Sequence, residues 1–162
     1  MKKIDSLGLK SCIFQAEIFE ASAKESNCSS KIFIRRFLNS DVAKRIDNGG
    51  MLFDSSAIPD VFQELDAQYG ESIYGNEKFS QEELHWIGYI YRYWACITNK
   101  TSKQIYKEIK PDTLRKLYFP YHSLDPAQAI ERIMEEYETN NTDEDELQYA
   151  VKVLRSIRTK KA

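Results

Sequence analysis

The sequence predicts an all-α protein: a compact bundle of short helices around one long apolar central helix, with a C-terminal amphipathic helix after an acidic linker. Three observations carry that prediction. Apolar residues recur at three- and four-residue steps along most of the 162 residues, the spacing that places them on one face of a helix. Glycine (6) and proline (4) are scarce and fall between these periodic stretches, where they act as punctuation. Runs that alternate apolar and polar residues, as half-buried strands require, are weak throughout.

The elements follow in order. Leu9, Cys12, Ile13, Ala16, Phe19 and Ala23 define a first helix over 9–24. Ser29 or Ser30 can cap a second through Ile32, Phe33, Phe37 and Leu38, because a serine oxygen accepts from an otherwise unpaired first-turn N–H. Asn39-Ser40-Asp41 offers the next cap, for a short helix that ends at Asn48-Gly49-Gly50, and 49–56 reads as a loop. Pro59 suits the first turn of a fourth helix, through Val61, Phe62 and Leu65 to a stop at Gly70.

Ser80-Gln81-Glu82-Glu83 is a capping box, in which the serine oxygen and the Glu83 carboxylate each satisfy a backbone donor of the other. The helix it opens, to about Thr98, is apolar nearly all round, from Leu84 and Trp86 to Cys96 and Ile97. Such a helix belongs at the centre of a core. Thr101 and Ser102 cap a short helix with Ile105 and Tyr106. Pro111 starts the next, through Leu114, Leu117 and Tyr118, with Pro120 expected to end it. Asp125-Pro126 opens a helix through Ala129, Ile130, Ile133 and Met134.

Domain organisation follows from composition. Residues 1–137 form the helical domain. The polar, acidic stretch 138–146 reads as a mobile linker. Residues 147–162 form a basic amphipathic helix, with Leu147, Ala150, Val151, Leu154 and Ile157 on one stripe and Lys152, Arg155, Arg158, Lys160 and Lys161 around it.

Composition also bounds the function. No stretch approaches the roughly 18 apolar residues of a membrane span. The start, Met1-Lys2-Lys3-Ile4-Asp5, is followed by charges that interrupt any signal-peptide apolar segment. Three cysteines without tight spacing, Cys12, Cys28 and Cys96, suit reduced thiols. A cytoplasmic location is expected. The two histidines, His85 and His122, and the cysteines form no close ligand pair, so no metal or other cofactor is expected. No nucleophile signature, phosphate-cradling glycine loop or carboxylate in an apolar setting stands out, so no catalytic residues are assigned and no enzyme activity is expected.

Two features point to macromolecular partners. Phe33-Ile34-Arg35-Arg36-Phe37 and Tyr89-Ile90-Tyr91-Arg92-Tyr93-Trp94 place aromatics and arginines on several faces of their helices. A small bundle is not expected to bury all of them, and tyrosine, tryptophan and arginine anchor protein interfaces. Phe33, Arg35, Arg36, Tyr89, Arg92, Tyr93 and His122 are therefore the candidate partner-binding residues; the competing explanation is that these side chains reach out of one core by their polar ends. Between Ile87 and His122, moreover, seven Lys or Arg stand against two acids. With two short helices in that segment, a helix-turn-helix DNA reader is the alternative.

The segment Ser29 to Phe37, with Ala43-Lys44 and Asp47, and the segment Trp86 to Tyr93 resemble small firmicute antitoxin-like proteins, over roughly Ile4 to Glu136. Thr101 to Tyr106, Leu114 to Tyr118 and Tyr121-His122-Ser123 resemble a second small firmicute family, encoded beside proteins that look like ADP-ribosyltransferases. A Leu-His-Thr segment of that family stands here as Tyr121-His122-Ser123. The resemblance implies an antitoxin that occludes its cognate toxin, an enzyme of ADP-ribosyltransferase type if the second likeness holds, by direct protein–protein binding. The acidic linker and basic tail lie outside the matched region.

Overall fold

The computed structural model describes residues 3–50 and 53–160. Residues 1–2, 51–52 and 161–162, which carry parts of the lysine-bearing start, of the expected loop and of the basic tail, lie outside the described residues. Every regular element among the described residues is helical. In order they are α1 (Ser6–Glu25), α2 (Ser30–Leu38), α3 (Asp41–Asp47), a 3-10 turn (Ser55–Ala57), α4 (Ile58–Tyr69), α5 (Gln81–Thr98), α6 (Ser102–Glu108), α7 (Pro111–Tyr121) and α8 (Pro126–Lys160). None is long and apolar enough to cross a membrane.

The caps explain the starts. Asp5, Ser29, Ser40, Ser80 and Thr101 each accept a backbone hydrogen bond at the head of their helices. At α5 the box is closed both ways: Ser80 Oγ accepts from Glu83 N at 3.1 Å, and Glu83 Oε1 accepts from Ser80 N at 2.9 Å. A second, reciprocal box joins Thr101 and Gln104 at the head of α6. Gly70 terminates α4 with a φ of 77°, a left-handed conformation that glycine adopts without strain.

The chain divides into two compact units, Met1–Pro126 and Ala127–Ala162. In the first, α1 and α5 pack along each other's length, and α5 also touches α6 and α7. Gly88 makes the α1–α5 approach possible: a Cβ there would lie 2.8 Å from Phe19 Cγ and 2.9 Å from the Gln15 carbonyl oxygen. The aromatic part of the core clusters nearby, with the Phe19 ring edge-on to Phe33 and Phe37 at 5.6 and 5.3 Å. Offset and edge-to-face rings at these distances add stabilisation beyond the area they bury.

Two expectations change. Pro120 does not itself end α7, which continues one residue further to Tyr121; the ring removes the bond to the Lys116 carbonyl and crowds it, and the helix stops immediately afterwards. The stretch 138–146, expected as a linker between two elements, lies inside α8, a continuous helix of 35 residues. The boundary between the compact units falls after Pro126 rather than at 137. Eight negatively charged residues stand in 131–146 and positive ones follow from Lys152, an order that opposes no helix, since acids near the start and bases near the end suit the helix dipole.

Candidate partner-binding groove

The seven candidate residues separate into interior and surface groups. Phe33 is 4% exposed, packed on Phe19, Phe37 and the stacked ring of Phe62 at 5.8 Å. Arg92 is 2% exposed and Tyr93 is also buried. These three, candidates for the partner-binding surface from the sequence, are part of the core. The reason is that neighbouring helices cover most faces of α5, and that the chain supplies a complete polar lining for the Arg92 guanidinium.

That lining is assembled from distant positions. Arg92 Nε and Nη2 donate to Gln15 Oε1 at 3.0 and 2.8 Å, Nη2 donates to Ser102 Oγ at 2.8 Å, and Nη1 donates to Asp47 Oδ1. Asp47 in turn accepts from the Ser102 backbone N–H at 3.0 Å and from Ser102 Oγ at 2.7 Å. Gln15 Nε2 donates to the Gly88 carbonyl oxygen at 3.0 Å. One guanidinium thus ties α1, α3, α5 and α6 together. Buried charge is tolerated only when paired and hydrogen-bonded in this way.

Arg35 is exposed and Arg36 half-buried. Arg36 Nη1 donates to the Gly70 carbonyl oxygen at 2.7 Å, and its guanidinium lies over the Tyr69 ring at 5.3 Å. It closes the end of α4 and lines a small recess of about 70 Å³ with Phe62 and Glu71. The two arginines are not brought to the place where Tyr89 and His122 meet.

Tyr89 and His122 do meet. Glu82, His85, Trp86 and Tyr89 stand at three- and four-residue steps on α5, so they share one face. Tyr118 and His122, four apart, present the end of α7 to it. With Leu124 and Pro126 these side chains line a groove of about 400 Å³. Trp86 meets Tyr118 edge-on at 5.8 Å, His122 stacks on Tyr118 at 4.5 Å, and Tyr89 stacks on Tyr93 at 6.1 Å. Trp86, Tyr89 and Tyr118 are each half-buried, held by one side of the ring and open on the other.

The polar groups of the groove are oriented. His122 Nδ1 lies 2.8 Å from the Tyr118 carbonyl oxygen and 3.1 Å from that of Phe119. Facing two carbonyl acceptors, Nδ1 is placed to donate to them. Burial pushes the phenols of Tyr89 and Tyr93 up, so both keep the O–H as a donor. His85 Nδ1 is 3.1 Å from Glu20 Oε2 at the rim. Phe119, beside the groove, is 83% exposed.

A second recess, about 300 Å³, is lined by Asp5, Asp47, Arg92, Cys96, Lys100 and Thr101 among others. Cys96 opens into it, while Cys12, hydrogen-bonded to Cys96, is fully buried. The hydrogen bond from Cys12, aided by Arg92, brings the Cys96 thiol down to about 6, and the same contact together with burial pushes Cys12 up. The adjacency of these thiols has no local sequence signal. Among the described residues no group of three or more His, Cys, Asp or Glu is placed to hold a metal ion.

The basic stretch over α5–α7 is largely engaged within the chain. Lys100 pairs with Glu108, and Lys110 lies over the Tyr106 ring at 3.9 Å. Arg115 pairs with Glu77 and Glu83 and covers the Phe79 ring at 4.4 Å. Arg92 is buried against Asp47. Comparison of the chain with protein-family models, curated proteins and solved structures gives no match.

Proposed function

We propose that this chain acts by binding another protein, and that it is the antitoxin of a toxin–antitoxin pair whose toxin is an enzyme. The observation that carries the binding part is the groove of Trp86, Tyr89, Tyr118 and His122. Its rings are fixed by one another before any partner arrives, so docking orders few side chains, and rigid, half-open aromatics are the anchor type of protein interfaces. The polar rim of Glu82 and His85 supplies hydrogen-bonding groups around an apolar centre, the usual layout of such a surface. The antitoxin part rests on the likeness of Ser29 to Phe37 and of Trp86 to Tyr93 to firmicute antitoxin-like proteins, and on that of Thr101 to Tyr106 and Leu114 to Tyr118 to a small family encoded beside ADP-ribosyltransferase-like proteins.

In this proposal α5 is the central helix of the bundle and the carrier of the groove. The cytoplasm is the site of action, in keeping with three free cysteines. Interface residues are Trp86, Tyr89, Tyr118 and His122, with exposed Arg35 an outlying contact. Tyr93, stacked on Tyr89, supports the surface from beneath, whereas Phe33 and Arg92 belong to the core away from the groove.

Co-expression with the product of the neighbouring gene, the proposed toxin enzyme, provides the test. The enzyme alone arrests growth, and wild-type chain restores growth and co-purifies with it. Trp86→Ala with Tyr118→Ala, checked to be folded by circular dichroism, loses both. Unchanged rescue by that folded variant would move the interface elsewhere. The DNA-binding alternative is less well supported, since four of the seven basic side chains counted for it have partners within the chain. A phosphate-gripping surface needs its cations for the phosphates, and would lose affinity steeply with salt.

A further inference from the structure

The second unit carries an interaction surface that the groove does not use. In α8 the residues Leu147, Ala150, Leu154 and Ile157 repeat at steps of three, four and three, the seam of a two-stranded coiled coil. Leu147, Leu154 and Ile157 are 66%, 61% and 47% exposed. Val151 and Val153, also exposed, flank that seam on its two sides. A helix with this much open apolar surface is marginal alone in water, and most helices gain their stability from packing that stripe.

The charge order along the same helix selects the occupant. Asp143-Glu144-Asp145-Glu146 precede the seam, whereas Lys152, Arg155 and Arg158 lie along and beyond it. Two copies side by side in the same direction would set acids against acids and bases against bases. Reversing one copy sets the acidic start of each against the basic end of the other. In that reversed register Leu147 of one copy packs on Ile157 of the second, and Ala150 packs on Leu154. Each layer occurs twice by symmetry, and the small Ala150 against the larger Leu154 lets the helices approach closely. The same register brings Glu144 beside Arg158 of the second copy at both ends of the seam, the flanking position where charges decide partner and direction. Both side chains are exposed in the single chain.

We propose that α8 is a self-association helix, pairing antiparallel with α8 of a second copy of this chain through Leu147, Ala150, Leu154 and Ile157 and guided by Glu144 against Arg158. The seam is short. It buries on the order of 1,000 Å², near the lower bound of specific interfaces, so the dimer dissociates in the micromolar range rather than being permanent.

Sedimentation velocity on the full-length chain from about 10 to about 500 µM, the range in which an interface of this size dissociates, tests the proposal. Wild type shifts from monomer to dimer across the series, and Leu147→Asp with Leu154→Asp stays monomeric. Glu144→Arg alone weakens the dimer about tenfold, because two flanking contacts turn from attraction to repulsion. Adding Arg158→Glu to it restores the wild-type constant. The charge pair lies outside the seam, so helicity measured by circular dichroism remains comparable among these variants. A wild type that stays monomeric at the highest concentration overturns the proposal and leaves the stripe to a different protein or to the chain's own first unit. A dimer indifferent to the aspartates, or charge reversals without mutual rescue, overturns it equally.

Discussion

Replacing Arg92 by methionine keeps the length of the side chain and removes its charge. Four hydrogen bonds disappear, two to Gln15, one to Ser102 and one to Asp47. The larger consequence is that Asp47 loses its counter-charge in a setting where its side chain is only 10% exposed. Removing one partner of a buried ion pair costs about 3–5 kcal/mol. Asp47 retains two donors, the Ser102 backbone N–H and hydroxyl, which places the expected loss at the lower end, about 3 kcal/mol. For a domain stable by roughly 5–15 kcal/mol this is a large fraction, and it lowers the melting temperature by roughly 10 °C. Urea unfolding followed by circular dichroism measures it. A double-mutant cycle with Asp47→Asn isolates the pair, with a coupling of about 1–3 kcal/mol expected. Arg92→Met that unfolds within about 1 kcal/mol of wild type, or that shows no coupling to Asp47, refutes the reasoning.

Further expectations follow from other contacts. Gly88→Ala pushes a methyl group against Phe19 and the Gln15 carbonyl and destabilises by about 1–3 kcal/mol through overpacking, read in the same urea titration. Ser80→Ala removes half of the capping box and costs about 1 kcal/mol. Cys96, lowered to about 6 by the hydrogen bond from Cys12 and opening into a recess, is the thiol that iodoacetamide modifies first in the folded chain; peptide mapping shows its rate falling as pH drops through that value. Cys12→Ala removes the hydrogen bond and moves this midpoint upward, while Cys28, 4% exposed, reacts only on unfolding.

Much of the fold was legible because its signals are local. Capping residues, the period of the apolar positions and the glycine after α4 all act within a turn or two of where they stand, and Ser29, Ser40, Ser80 and Thr101 occupy the caps that their sequence context suggests. The acidic stretch 138–146 was read from polarity, yet polarity opposes a packed core and not a solvated helix, so α8 runs through it. The candidate site was half legible. Composition marks the density of tyrosine and arginine but not which faces of α5 are covered, and that depends on where α1, α6 and α7 pack. Arg92 looked like a surface anchor because Gln15, Asp47 and Ser102 are distant in sequence and only the fold brings them to it. Trp86 and Tyr118 had the spacing of core residues, and their open sides appear only once α7 is set against α5.

Isothermal titration of the chain against the proposed partner, the product of the neighbouring gene, addresses the groove most directly. Wild type binds, and Trp86→Ala with Tyr118→Ala weakens binding by about a hundredfold or more, the usual consequence of removing two interface anchors, while Arg92→Met, where it remains folded, binds as wild type does. Unaltered affinity in the folded groove variant, or no binding by wild type at any workable concentration, would contradict the assignment of these rings to a protein partner.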